Sequence, residues 1–175
     1  MKTNKFILPL LCLLAVACRE VPSYDVVSDK ESDLKENMIN ANRLIAKSEA
    51  QQIDSYITRR GWQMEHVGDG VRVMVTARGD GRRLQREDTV VVTYSVEALN
   101  GIALYDGCRD TLVVGHLQPN RGVDAVVRTL SAGAEAVAIL PSEQAFGVVG
   151  DGDRIGNRMI LIYKLKIEKT IPSKT

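Results

Sequence analysis

Along residues 159–168 the chain alternates with a period of two. Met159, Leu161, Tyr163, Leu165 and Ile167 share one face, and Lys164, Lys166 and Glu168 occupy the far end of the other. Such alternation marks a strand with one buried face, here with a wet end to its second face. The same period sets Val71, Val73 and Val75 on one face of an earlier strand, and Val90, Val92, Tyr94 and Val96 on one face of the next. Tyr94 therefore turns towards the core. Residues 134–140 form a short apolar run into Pro141, whose missing amide closes a central strand. A helical period appears twice. In residues 34–60 it runs through Ile45, Ile53, Tyr56 and Ile57, with Gly61 placed to cap the end and Trp62 and Met64 to make apolar contacts beyond it. In residues 120–133 it runs through Val123, Val126, Val127 and Leu130, with Asn120 as N-cap and Gly133 as the stop.

Between these elements the chain turns on glycine. Gly-Asp-Gly occurs at 68–70, 79–81 and 150–152, and Asn100-Gly101 signals a hairpin that leads through residues 104–107 into a short strand at 111–114. The 141–158 loop is rich in polar residues and glycine, and it carries Phe146 and Ile155 as apolar positions. An EF-hand is excluded, because Ile155 stands where the next calcium ligand after Asp151 and Asp153 is required, and neither a P-loop nor a dinucleotide fingerprint occurs. Strands flanking one short helix predict an α+β fold, an antiparallel sheet wrapped on that helix and preceded by an N-terminal helix.

The chain has 175 residues, 45% hydrophobic and 26% charged, which suits one domain with appendages. A formal net charge of +1 argues against a nucleic-acid partner, and the doublets Arg59-Arg60 and Arg82-Arg83 read as solvated surface. Lys2 and Lys5, then the apolar residues 6–16, then Ala15-Val16-Ala17 form an export signal over residues 1–17 that is too short to span a bilayer. Leu14-Ala15-Val16-Ala17-Cys18 resembles a bacterial lipobox, which makes Cys18 the expected lipidation site; the alternative is an ordinary secretory signal followed by an incidental cysteine. Residues 18–33 then read as a flexible tether, 34–61 as the helical segment and 62–170 as the domain. With Cys12 in the signal and Cys18 lipidated, Cys108 has no disulfide partner. His66 and His116 read as surface residues, and no metal site is expected. Arg19 in place of an Asp after Cys18 points to a cell-envelope lipoprotein of the outer membrane facing the periplasm.

Taken in chain order, five segments resemble the FKBP-type peptidyl-prolyl cis-trans isomerases over residues 71–169. They are the V-x-V-x-Y strand at 90–94, the G-x-x-x-Y-D stretch at 101–106 with one extra residue, the helix and turn at 122–133, the L-P-x-x-x-A-F-G stretch at 140–147, and Ile155 with the final strand at 159–167. The N-terminal helix with LPSEQAFG and GDGDRI is most similar to the lipoprotein isomerases of Bacteroidota. The resemblance implies catalytic positions at Asp106, Tyr94 and Phe146, and substrate-binding positions at Tyr105, Val123, Ile155 and Tyr163. It implies no cofactor, proline-containing polypeptide clients, and a role in protein folding. Three departures stand out. Val123 replaces the family's floor Trp, Phe146 replaces its tip Tyr, and Pro119-Asn120 with Gly156-Asn157 replace an aliphatic pair and an I-P-P. These leave open an alternative, a catalytically weak module that binds peptides or acts as a chaperone.

Overall fold

The computed structural model describes residues 26–79 and 81–173. The expected signal, Cys18 and the first half of the tether, residues 18–25, lie outside the described residues. Helix α1 (Val26–Arg60) is followed by strands β1 (Glu65–Val67), β2 (Val71–Ala77), β3 (Thr89–Ala98) and β4 (Ala103–Val113). Helix α2 (Arg121–Val127), strand β5 (Glu135–Leu140), a 3₁₀ turn (Ser142–Gln144) and strand β6 (Leu161–Ile171) complete it. The six strands form one antiparallel sheet in the order β1-β2-β5-β6-β3-β4. This is the α+β architecture the alternating segments predict.

Helix α1 starts at Val26, ahead of residue 34, so residues 26–33 are helical where a tether was expected. From Ser23 to Arg60 the chain has neither Gly nor Pro, and nothing there stops a helix once begun. The chain divides after Ala41 into two compact units. Residues 31–41 of the first are exposed throughout. In the second, residues 42–60 are docked. Ile53 and Tyr56 are buried together with Ile139, Ile160 and Ile162, and Ile57, Trp62 and Met64 pack against that cluster. Trp62 meets Tyr56 edge-on at 5.7 Å between ring centroids. The outer face of β5 and β6 is thus dry at its start and wet only from Lys164 onwards. Arg72, buried on β2, adds an ion pair from Nη2 to Asp54 Oδ1 at 3.0 Å.

Helix α2 lies on the opposite face, with Val123, Val126 and Val127 in the main core beside Val90, Val92, Leu130, Leu165 and Ile167. Asn120 caps it by accepting the Val123 amide at 2.9 Å. The helix closes at Arg128 and not at Gly133: beyond it the backbone bonds tighten to i→i+3, from the Thr129 amide to the Val126 carbonyl at 2.9 Å and from the Leu130 amide to the Val127 carbonyl at 3.0 Å. Two strand expectations are corrected as well. Val75 is 43% exposed although it keeps the register of Val73, because β2 is covered only over residues 71–73 and loses that cover from Val75 onwards. The separate strand expected at 111–114 is the end of one long strand, β4, that already begins at Ala103.

Candidate functional site

Six of the seven side chains expected in the site share the main core cluster. Val123, Ile155 and Tyr163 are buried in it, and Tyr94, Tyr105 and Phe146 pack against it half-buried. Their positions follow from the fold. Tyr94 on β3 and Tyr163 on β6 are brought side by side because Val96 pairs with Tyr163 and Tyr94 with Leu165. Their ring centroids are 5.8 Å apart with planes tilted by 39°. Val123 faces them from the first turn of α2. Phe146 and Ile155 come from the loop between the 3₁₀ turn and β6, whose base is fixed where Pro141 ends β5 and the Ala145 amide returns to the Pro141 carbonyl.

The floor of this arrangement is closed. Val92, Tyr94, Leu112, Pro119, Val123, Val127, Tyr163 and Leu165 enclose about 10 Å³. That is room for one water at most, and the lining offers it almost no polar partner. Val123 in place of a larger residue has therefore not opened a hole, because the two tyrosine rings and Pro119 line the remaining space. Asn120, buried between the helix and the sheet, donates from Nδ2 to the Tyr163 hydroxyl at 3.3 Å. Burial pushes the Tyr163 hydroxyl well above the ordinary tyrosine pKa, and the Asn120 bond offsets part of that. Burial raises Tyr94 as well, with smaller contributions from Cys108 and Asp110.

Asp106 is the position the structure does not bring in. Opposite the single residue Ser95, β4 carries two, Asp106 and Gly107, between the pairs Tyr94↔Cys108 and Val96↔Tyr105. This is a β-bulge, with Gly107 at a φ of +61°. It leaves Tyr105 against the core and Asp106 exposed, lining an open groove with Thr93, Ser95, Lys164 and Lys166. Lys164 and Lys166 alternate with buried Tyr163, Leu165 and Ile167, so that groove belongs to the outer face of the sheet.

A carboxylate comes instead from the loop. Tyr105 donates its hydroxyl to Asp151 Oδ2 at 2.5 Å, and Asp151 Oδ1 accepts the amides of Asp153 and Ile155, both at 2.9 Å. Burial alone would raise the Asp151 carboxyl, but these three donors outweigh it and hold the group below the usual carboxylate range. The same bond pushes the Tyr105 phenol up to about 12. Arg154 lies over the Tyr105 ring, 5.4 Å from its centroid, and donates to the Leu104 carbonyl at 2.9 Å. The sequence marks Asp151 as turn chemistry, and Asn120 as a cap and as half of the Pro119-Asn120 departure from the family pattern. For Asp151 the one signal of a wider role is its closeness in sequence to Ile155.

Among the described residues no group of three His, Cys, Asp or Glu is placed to hold a metal ion, and no helix is long and apolar enough to cross a membrane. The site holds aromatic and aliphatic walls, three buried or half-buried phenols and one ionised carboxylate. Such a surface can pack against an apolar ring or side chain and shield it from water, and it sets no nucleophile beside a base.

No family model matches the chain. Among curated proteins it is 27% identical over 108 residues to a probable FKBP-type peptidyl-prolyl cis-trans isomerase, FkpA, of Neisseria meningitidis serogroup B; the match takes in 59% of this chain and 39% of that protein. The chain thus spans well under half the length of that relative. Among solved structures, a peptidyl-prolyl cis-trans isomerase of Pseudomonas syringae pv. tomato superposes with a TM-score of 0.62 at 18% identity, over 74% of this chain and 96% of its own. The N-terminal domain of FKBP42 from Arabidopsis thaliana gives 0.58 at 18% identity, over 63% and 93%. At these identities the solved structures establish an FKBP-like fold.

Proposed function

We propose that this protein is a peptidyl-prolyl cis-trans isomerase that assists protein folding in the cell envelope, held to the outer membrane by a lipid on Cys18 and facing the periplasm. The observation that carries the activity is the convergence of Tyr94, Tyr105, Val123, Phe146, Ile155 and Tyr163 on one cluster beneath the 146–155 loop. Rotation about an X-Pro bond meets a barrier of about 18–20 kcal/mol because amide resonance is lost on the way. A water-poor wall of aromatic and aliphatic groups favours the twisted, less delocalised imide over the planar one, which is complementarity to the transition state without covalent chemistry. The lipoprotein assignment, including the likeness to isomerases of Bacteroidota, rests on the sequence around Cys18 and on the motifs at 140–155.

The deciding measurement is the cis-to-trans rate of an Ala-Leu-Pro-Phe peptide, which isomerises over tens of seconds unaided. Acceleration by the wild-type chain, reduced by Phe146→Ala, is the expected result; a rate equal to background overturns the reading. Cys18→Ser is expected to abolish palmitate incorporation and membrane sedimentation. One observation favours a second reading, in which the fold captures peptides without catalysis: the floor encloses only about 10 Å³, too little for a pyrrolidine ring without movement. Normal catalysis combined with no effect on aggregation of an unfolded client would reject it.

A further inference from the structure

Resting on the isomerase reading, we propose that the carboxylate of the peptide cleft is Asp151, held against Tyr105, and that Asp106, the position the family resemblance points to, stands outside it. Asp151 acts as a positioning residue. It fixes the Tyr105 ring and the turn that carries Ile155 as one wall of the cleft.

The argument begins in β4. Two residues, Asp106 and Gly107, stand opposite the single Ser95, so the strand bulges just beyond Tyr105. Tyr105 packs against the core while Asp106 is exposed and lines the groove with Lys164 and Lys166. Among the described residues the Asp106 carboxylate makes no hydrogen bond and no ion pair; only its backbone carbonyl is engaged, by the Cys108 thiol. A group that nothing orients, on the outer face of the sheet, is poorly suited to hold a substrate.

Asp151 has the opposite character. Both its oxygens are engaged, one by the Tyr105 hydroxyl and one by the amides of Asp153 and Ile155. Its own amide donates to the Ile155 carbonyl at 3.1 Å, so residues 151–155 close into a small ring around the carboxylate. Ile155, at the end of that ring, is buried in the same cluster as Tyr163 and Val123. Arg154 closes the device from the other side by covering the Tyr105 ring and bonding the Leu104 carbonyl. The 150–155 turn is therefore latched to β4 at two points, and the phenol at the centre of the latch belongs to the cleft wall.

The test compares Asp151→Asn, Tyr105→Phe, their double variant and Asp106→Asn in the isomerase assay. A second readout is ultraviolet titration of the tyrosines. Asp151→Asn is expected to raise KM about ten-fold, the scale of one charge-assisted hydrogen bond, with a smaller change in kcat. Tyr105→Phe should give a similar loss and the double variant little more, since both cut one interaction. In Asp151→Asn the Tyr105 phenol, pushed up to about 12 by the Asp151 bond, should move towards the ordinary value near 10. A loss of merely structural origin would lower kcat and KM behaviour of all variants in step with melting temperature and would leave this pattern absent. Loss of activity in Asp106→Asn with Asp151→Asn unaffected overturns the proposal. If the wild-type chain does not accelerate the reaction at all, the isomerase reading fails on its own. The carboxylate assignment is then read from amide shifts on adding the same peptide: shifts at Tyr105, Asp151 and Ile155 support it, and shifts confined to residues 106–108 overturn it.

Discussion

Glu49 on helix α1 and Ser142 in the loop after β5, 93 positions apart, form a buried two-point hydrogen bond. The Ser142 amide donates to Glu49 Oε2 at 2.8 Å and the Ser142 hydroxyl to Oε1 at 2.6 Å. Glu49 is 6% exposed, and no cation is paired with it among the described residues. The carboxylate thus takes the place of a backbone acceptor at the start of the 3₁₀ turn, four residues before Phe146. Truncation in Glu49→Ala leaves a buried amide and hydroxyl without partners, at a cost of about 2 to 3 kcal/mol. Ser142→Ala keeps the amide bond and should cost about half as much. Urea denaturation gives these values, and hydrogen exchange should show residues 45–57 losing protection in Glu49→Ala before the sheet does.

That pair also marks the boundary of what was readable in the chain. Elements set by local chemistry were legible: the alternation of β3 and β6, the Pro141 stop, the turn at Asn100-Gly101 and the Asn120 cap each depend on residues within a few positions. Contacts that join distant segments were not. Glu49 has the composition of any solvated helix residue, and only the docking of Ile53 and Tyr56 on Ile139 and Ile162 buries it. The side on which Asp106 emerges depends on a bulge whose position is settled by pairing with β3, which alternation within β4 does not reveal. Tyr94, Val123, Phe146, Ile155 and Tyr163 were identifiable as neighbours through the family resemblance, because the order of the segments carried it. Asp151 was not, because a Gly-Asp-Gly turn occurs three times in the chain and nothing local separates the one that meets Tyr105.

Acid should unfold the domain through Asp88. This carboxylate is 1% exposed and accepts from Arg82 Nη2 at 2.6 Å, the Gln85 amide at 2.8 Å and the Ser173 amide at 3.1 Å. The Arg82 bond first, and then the two amides, outweigh burial and lower its pKa. A carboxyl with a folded-state pKa below its unfolded value stabilises the fold above the unfolded value, near 4, and loses that contribution as pH falls through the folded value. The urea midpoint is therefore expected to fall on acidification below about pH 4. In Asp88→Asn the fold should be weaker by about 2 kcal/mol at neutral pH, the worth of hydrogen bonds to a buried charge. The acid slope of that variant should be shallower than the wild-type one.

Gly122 tests how closely α2 must approach the site loop. A Cβ there would lie 2.5 Å from Leu140 Cδ2 and 2.9 Å from the Gln144 carbonyl oxygen. Leu140 is wholly buried and the second contact is backbone, so neither gives way cheaply. Gly122→Ala should cost about 1 to 3 kcal/mol as overpacking, even though alanine is the better helix former. Because Gln144 precedes Phe146 by two residues, peptide affinity should fall in the same variant by more than the melting temperature explains. A crystal structure showing Phe146 displaced would account for both.

The last prediction concerns Val123, where the family resemblance places a Trp. If the chain merely lacked a floor, Val123→Trp would supply one and raise peptide affinity. The geometry says otherwise, because Tyr94, Tyr163 and Pro119 already reduce the space beside Val123 to about 10 Å³. An indole cannot enter without moving the Tyr94–Tyr163 pair or breaking the bond from Asn120 to the Tyr163 hydroxyl. Val123→Trp alone should therefore destabilise the domain by about 3 kcal/mol, at the upper end of overpacking costs, and should not bind peptide more tightly. Combined with Tyr163→Val, which removes the ring that occupies the space, much of that loss should be recovered. Thermal unfolding of the single and double variants measures the coupling between the two positions. A single variant as stable as wild type would mean that the floor is open in solution.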